Sequence, residues 1–307
     1  MTSRFYFAPE SSDGERVDAV LAQLTGLSRA KVASLIDDGA AHVDGKPARR
    51  SDRVAAGARL DIDLPEPAPA EPLPTPVDMD VVFEDDDIIV INKPPGVAAH
   101  PSVGWDGPDV VGALIAAGVR VSTSGPPERK GIVQRLDVGT SGLMTVAKSE
   151  RAYSVLKQAF RDRAVTKVYH ALVQGYPFPD AGTIDAPIAR DHRHSWKMAV
   201  QPEGRESVTH YETLEMLKGC ALLEVHLETG RTHQIRVHMS AMNHPLVGDP
   251  LYGSDPTLSA ELGIDRQWLH AVSIGFRHPT LGHDVIFTVD YPSDLQRALD
   301  QARDAWL

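Results

Sequence analysis

GIVQRLDVGTSGLMTVAKS, residues 131–149, sets two apolar, strand-like runs on either side of a loop that carries Arg135, Asp137, Gly139, Thr140, Ser141 and Gly142. Glycines let backbone approach a ligand closely, hydroxyls can bind a carboxylate, and an isolated aspartate can serve as nucleophile or base. A loop framed by strands suits such groups because the scaffold holds it rigid. On these grounds alone, an aspartate just ahead of a glycine fits a plain turn residue as well.

Strand signals continue on both sides of this stretch. VVFEDDDIIVINKPPG (81–96) reads as a hairpin with Ile88–Asn92 as its second strand. Further strand-like runs are KVYHALVQG (167–175), ESVTHYETLEML (206–217), ALLEVHLET (221–229) and DVIFTVDY (284–291). ERAYSVLKQAFRDR (150–163) has helical spacing, with Tyr153, Leu156 and Phe160 on one face. Strand follows strand too closely for the strand–helix alternation of a doubly wound fold, so the class is α+β.

PEPAPAEPLPTP, residues 65–76, places six prolines in twelve positions. Proline fixes φ and lacks an amide donor, so this piece should run as a semi-rigid spacer of about 37 Å at ~3.1 Å per residue. The chain is thereby divided into a tail (1–13), a small module (14–64), the spacer (65–76) and a larger domain (77–307). In the module, Val17, Val20, Leu21 and Leu24 recur at helical spacing. Ser28 caps a second helix that carries Val32, Leu35 and Ile36 and ends at Gly39. Asp44-Gly45 predicts a tight hairpin, and ARLDIDL a last strand with Leu60, Ile62 and Leu64 on one face.

With 42% hydrophobic and 24% charged residues the chain has the composition of a soluble globular protein, which excludes global disorder and fibrous repeats. Its net charge of −11 (31 Lys+Arg, 42 Asp+Glu) argues against a nucleic-acid partner only until it is located. Residues 61–87 hold ten acidic side chains and no Lys or Arg, whereas 129–170 holds nine basic against three acidic. A basic face is therefore available. Cys220, the single cysteine, lies in an apolar run and reads as a buried thiol in a reducing compartment. No apolar run reaches the ~18 residues of a membrane helix, and the start lacks a signal-peptide pattern. The expectation is a cytoplasmic monomer.

The module, RVDAVLAQLTGLSRAKVASLIDDGAAHVDGKPARRSDRVAAGARLDIDL, resembles an S4-type RNA-binding domain. That resemblance nominates Arg29, Lys31, Arg49, Arg50 and Arg53 as phosphate contacts, through an electrostatic and salt-sensitive interaction.

The larger domain resembles the RluA-type RNA pseudouridine synthases. Their HRLDxxTSG signature corresponds to QRLDVGTSGLM, which departs from it at Gln134 in place of His and at Val138, where Lys is common. KVYHALV matches the K-x-Y-x-A strand, LETGRTHQIRVHMSAMNHPLVGD (227–249) a second long signature, and WLHA (268–271) a fourth, shorter one. Four ordered motifs behind an S4-like module point to the members that modify large-subunit ribosomal RNA, the RluD type. The resemblance implies a mixed, mainly antiparallel β-sheet with flanking helices. It also implies an isomerisation that needs no cofactor: uracil is cut from ribose at N1, rotated and rejoined through C5.

By resemblance Asp137 is the catalytic carboxylate, attacking C1′ or C6 or removing a ribose proton. Arg231 should pair with it and keep it charged, since burial would otherwise favour the neutral acid. Tyr169 should stack on the base and accept the C5 proton, and Leu269 should exclude water. The target uridine must leave its stack, and Arg135 is placed to fill the gap. Lys130 and Lys167, with Lys148, Arg151, Lys157, Arg161 and Arg163, would form a phosphate-facing surface. Gln134, a donor and acceptor like His, should shape the loop by hydrogen bonding.

Competing readings are weaker. His233 and His238, five apart, fall on opposite faces of an expected strand and match no zinc spacing, so no metal is expected. Asp191-His192-Arg193-His194 reads as a polar loop. Ser141 lacks the strand–helix elbow of a hydrolase nucleophile. A non-catalytic RNA-binding assembly factor would have no need to keep Asp137, Tyr169, Arg231 and Leu269 together.

Overall fold

The Ser28 hydroxyl accepts a hydrogen bond from the Lys31 amide at 3.3 Å and starts helix α2 (Arg29–Asp37) where the sequence sets it. The computed structural model describes residues 2–25, 27–64, 72–101, 105–192, 194 and 196–304. The chain divides into two compact units, Met1–Ala68 and Pro69–Leu307.

In the first unit, α1 (Val17–Thr25) and α2 pack on a sheet of β1 (Thr2–Phe7), β2 (Ala41–Val43), β3 (Lys46–Pro47) and β4 (Arg59–Leu64), in the order β1-β4-β2-β3. Val17, Val20, Leu21, Val32, Ile36, Leu60 and Ile62 form its core. Asp44 and Gly45 take φ of 49° and 78°, the left-handed pair that a two-residue hairpin requires. Residues 1–13, read as a tail, are corrected here. Thr2–Phe7 pairs antiparallel with β4, because the alternation in RFYF turns Tyr6 toward the core and leaves Phe5 and Phe7 exposed.

Of the proline-rich spacer, residues 65–71 lie outside the described residues. Its far end is a strap on the second unit: Pro72 is buried and the Thr75 amide donates to the Gly112 carbonyl at 3.2 Å.

The second unit is built on nine strands: β5 (Asp80–Glu84), β6 (Ile88–Lys93), β7 (Ser141–Ala147), β8 (Thr166–Gln174), β9 (Ala181–Asp185), β12 (Val208–Leu217), β13 (Cys220–Leu227), β14 (Leu269–Arg277) and β15 (Asp284–Thr288). They run β5-β6-β7-β14-β8-β13-β12-β9, with β15 paired to β14. Only β7 and β14 are parallel, so the mixed, mainly antiparallel sheet expected from the sequence is present. A separate hairpin joins β10 (Ile188–Arg190) and β11 (Met198–Val200).

The strand period of two divides the sheet's side chains between two covered faces. Ile89, Ile91, Met144, Tyr169, Leu223 and Val225 pack with α3 (Val110–Ala116) and α5 (Gln234–Ala241). On the opposite face, Val90 and Leu143 meet α4 (Glu150–Arg161), while Leu172, Leu222 and Trp268 meet α7 (Ser293–Asp304). A short α6 (Pro256–Glu261) completes the helices. The stretch carrying His233 and His238, expected as strand, is helical from Gln234 to Ala241, and its backbone turns at His233, which takes φ 57° and ψ 22°. Among the described residues, no helix is long and apolar enough to cross a membrane.

The β7–β14 pairing positions the loop that carries Asp137. His270 lies opposite Ser141 and Ala271 opposite Gly142, while Ala271 also faces Tyr169 of β8. Gly142 has φ 115°, and a Cβ there would lie 2.4 Å from the Ala271 carbonyl oxygen. A side chain would push the strands apart, so this glycine is what lets the loop before β7 lie beside β8 and β14.

Candidate active site

Asp137, Tyr169 and Leu269 come from the β7 loop, β8 and β14, and all line one cavity of about 590 Å³. Arg135, Lys167, Arg231, His233 and Arg236 line it too. Of the residues nominated for this domain, Lys130, Lys148 and Arg151 do not; Lys130 follows the short 3-10 turn Pro127–Arg129.

The Asp137 side chain is 14% exposed, and its Oδ2 accepts from Arg236 Nη1 at 3.2 Å. Arg236 also forms a two-pronged pair with the fully buried Asp249, at 2.7 and 2.9 Å, and lies over the Tyr252 ring. The pairing expected of Arg231 is therefore corrected. Arg231 points its Nε to the Glu206 carbonyl at 3.0 Å, while its amide donates to Gln234 Oε1. Both arginines sit in TGRTHQIR, and helix α5 turns the second of them inward.

The loop itself is gripped from two sides. The Thr140 amide closes a turn on the Asp137 carbonyl, and the Gly96 amide donates to the Val138 carbonyl at 2.9 Å. Lys93, wholly buried at the end of β6, donates to the carbonyls of Pro94, Val97 and Val138. Burial pulls its pKa down to about 7, against the pull of Asp137's negative charge, and Arg266 adds to the lowering. Arg266, paired with Asp294 of α7, donates to the Gly139 carbonyl at 2.9 Å, and Gln267 donates to the Thr140 hydroxyl. Sequence reasoning missed Arg236, Lys93 and Arg266. Lys93 follows IIVIN directly, and a lysine closing an apolar strand with Pro-Pro-Gly behind it was the available signal.

Tyr169 is 8% exposed, and both burial and the nearby Asp137 push its phenol pKa up. It therefore rests in this cavity as a neutral phenol. Leu269, 4% exposed, joins Leu136 and Tyr169 in one apolar cluster beside the carboxylate. Gln134 lines the cavity, but its Nε2 is buried without a hydrogen-bond partner, so the loop is not shaped through that donor. Ser141 is 1% exposed and bonded to His270, which removes it as a nucleophile.

The basic surface is largely spent within the fold. Arg163 bonds Glu206 and Glu228, Lys148 bonds Glu84, and Arg161 bonds Gln158. Lys167 is partly buried, and burial followed by the neighbouring Arg163 lowers its pKa to about 8. In the first unit, Arg29 pairs with Asp18, Arg50 with Asp37, and Arg53 with the Gly14 carbonyl; Lys31 and Arg49 make no side-chain ion pair among the described residues. His238 is buried with both ring nitrogens engaged, and no cluster of three or more metal-ligating side chains occurs among the described residues. Of the DHRH loop, Arg193 lies outside the described residues.

A largely buried, arginine-held carboxylate next to a phenol and a leucine in an open cavity suits chemistry on a planar base attached to a sugar. Residues 87–241 match the RNA pseudouridylate synthase family. An uncharacterised RNA pseudouridine synthase of Mycobacterium bovis is 56% identical over 301 residues, which cover 97% of this chain and 98% of that protein. The ribosomal large subunit pseudouridine synthase D of Xanthomonas campestris is 40% identical over 306 residues, 96% of this chain and 91% of that one. The solved structure of human RNA Pseudouridylate Synthase Domain Containing 4 aligns with a TM-score of 0.57 and 25% identity, covering 72% of this chain and 92% of its own. The chain belongs to the RNA pseudouridylate synthase family, of the RluA/RluD type, and is an RNA pseudouridine synthase, an isomerase.

The depressed Lys93 ammonium has a consequence for stability. Between about pH 7 and the ordinary lysine value of 10.5, the unfolded chain holds this proton and the folded chain does not. Stability contributed at this position therefore rises with pH across that window, by ~1 kcal/mol per unit. Urea unfolding of the parent and of Lys93→Met should show a free-energy difference that shifts in favour of the parent between pH 7 and about pH 9.5. A flat difference would contradict the assignment.

Proposed function

We propose that this enzyme converts specific uridines of large-subunit ribosomal RNA to pseudouridine, with Asp137 as the catalytic carboxylate. The observation that carries the reading is the Asp137–Arg236–Asp249 arrangement at the wall of a cavity that also holds Tyr169 and Leu269. The name of the Xanthomonas relative supports the choice of RNA, and a cytoplasmic location follows from that substrate.

The reaction breaks the N1–C1′ bond and forms a C5–C1′ bond; N1 gains a proton and C5 loses one. The Asp137 carboxylate starts it, at C1′, at C6 or at a ribose proton. Arg236 holds the carboxylate in place through its Nη1 hydrogen bond to Oδ2. Tyr169 stacks on the base. Because its phenol is neutral in the free enzyme, it takes the C5 proton only if substrate binding first changes its surroundings. Leu269 keeps water from the cleaved intermediate. Arg135, exposed at the cavity rim, occupies the place of the extruded nucleotide.

The first unit is an S4-like RNA-binding module that adds affinity through phosphate contacts, with Lys31 and Arg49 its most available cations and Arg29, Arg50 and Arg53 around them. Phosphate contact of this kind weakens steeply with salt.

Asp137→Asn should abolish tritium release from RNA labelled at C5 of uridine while RNA binding persists; retained release would reject the carboxylate. Arg236→Lys keeps a charge but cannot serve two carboxylates, so kcat/KM should fall at least ~100-fold, about 2.7 kcal/mol, whereas Arg231→Gln should cost less than ~10-fold. The reverse ranking would restore Arg231 to the role expected from sequence. A pseudouridine map of total RNA from cells lacking the gene should lose sites in large-subunit ribosomal RNA, and an unchanged map there would sink the choice of substrate.

A further inference from the structure

We propose that His233 is a positioning residue for Asp137, and that Tyr252 fixes its tautomer so that an imidazole N–H faces the carboxylate. His233 stands just ahead of α5 with φ 57° and ψ 22°, a left-handed conformation that a non-glycine residue keeps only when its surroundings impose it. The His233 side chain is held by a short chain of hydrogen bonds. The Tyr252 hydroxyl oxygen accepts the Met198 amide of β11 at 3.0 Å and lies 2.7 Å from His233 Nδ1.

A phenol has a single hydrogen. With one lone pair of its oxygen taken by the Met198 N–H, that hydrogen is assigned to Nδ1, which puts the neutral imidazole's own proton on Nε2. Nε2 is 3.9 Å from Asp137 Oδ2, the oxygen that already receives Arg236. Every polar contact of the Asp137 side chain among the described residues falls on Oδ2, which leaves Oδ1 to meet the substrate.

The groups facing His233 are Asp137, Arg236, Arg135, Asp249 and Tyr252. Burial lowers its pKa, Asp137 and Asp249 oppose this, and the two arginines reinforce it, so the ring is neutral at working pH. At 3.9 Å the N–H does not yet bond to the carboxylate. Contacts of this kind tighten when substrate fills the site, and closing this one needs a shift of about 1 Å.

Tyr252 acts on both groups that address Oδ2. Its ring lies 4.9 Å from the Arg236 guanidinium carbon, and its hydroxyl orients His233. Tyr252→Phe separates the two effects, since it keeps the ring over Arg236 and removes the hydroxyl with its bonds to His233 and to the Met198 amide. The same hydroxyl ties Asp137's surroundings to the β10–β11 hairpin through Met198.

The inference rests on Asp137 as the catalytic carboxylate and on large-subunit ribosomal RNA as substrate. Tritium release by the parent enzyme from a transcript of that RNA labelled with tritium at C5 of uridine tests the substrate, and Asp137→Asn tests the carboxylate, before any other variant is read. On the same transcript Tyr252→Phe should lower kcat about 5- to 20-fold, with KM within about twofold and Tm within about 2 °C of the parent. His233→Leu should lower kcat at least ~20-fold. His233→Gln, which restores an N–H donor, should return to within about fivefold of the parent. Unchanged kcat in Tyr252→Phe, or a Gln variant no better than Leu, would overturn the proposal. So would a loss of kcat matched by losses of RNA affinity and Tm, which marks a folding defect.

Discussion

One guanidinium joins two carboxylates at the wall of the cavity. Arg236 spends its Nε and Nη2 on Asp249, which has no solvent exposure, and only Nη1 on Asp137. A buried ion pair is weak evidence of stability, since desolvation consumes most of the Coulomb gain, but removing one partner costs about 3–5 kcal/mol. The arrangement carries one net negative charge, so it serves to aim a charge more than to neutralise it. Asp249 is the anchor, and its Oδ1 also accepts the Leu251 and Tyr252 amides. Two of the three donors that place Arg236 thus go to Asp249, so its position does not depend on Asp137 alone.

That geometry depends on backbone arriving from four distant parts of the chain. The β6 end supplies Lys93, the β7 loop Asp137, α5 Arg236, and the segment before β14 supplies Arg266 and Gln267. The parallel contact of β7 with β14 brings the second and fourth together, and Gly142 permits it. Two buried donors then hold successive carbonyls of the same loop, Lys93 that of Val138 and Arg266 that of Gly139. Fixed donors of this kind remove reorganisation that water would otherwise contribute at the moment of reaction.

Much of this was legible in the sequence, and the misreadings share a physical cause. The strand runs, the helix cap at Ser28, the Asp44-Gly45 turn and the loop around Asp137 all depend on neighbours a few residues away. Arg231 and Arg236 lie five residues apart in one motif, and which of them faces Asp137 is decided by a single left-handed residue, His233, between them. Read as a strand, the segment gives no reason to choose Arg236. Read as a helix starting at Gln234, it turns that side chain onto Asp249. Lys93 and β1 failed to show for a related reason, because a lysine closing a strand and an N-terminal hexapeptide both read as exposed ends until a partner strand covers them.

Charge was the other deceptive signal. The net −11 came chiefly from residues 61–87, yet the basic stretch 129–170 is not a free surface either. Arg163 and Lys148 are tied to glutamates of the same unit, so their counter-ions are already supplied and they would gain little from RNA. Lys167 differs: it lines the cavity partly buried, and no ion pair holds it among the described residues. Its desolvation is a standing cost that an incoming phosphate would relieve, whereas an exposed lysine would only exchange water for phosphate. A partly buried cation of the basic stretch thus lies in the cavity wall, whereas Arg163 and Lys148 are already held by glutamates.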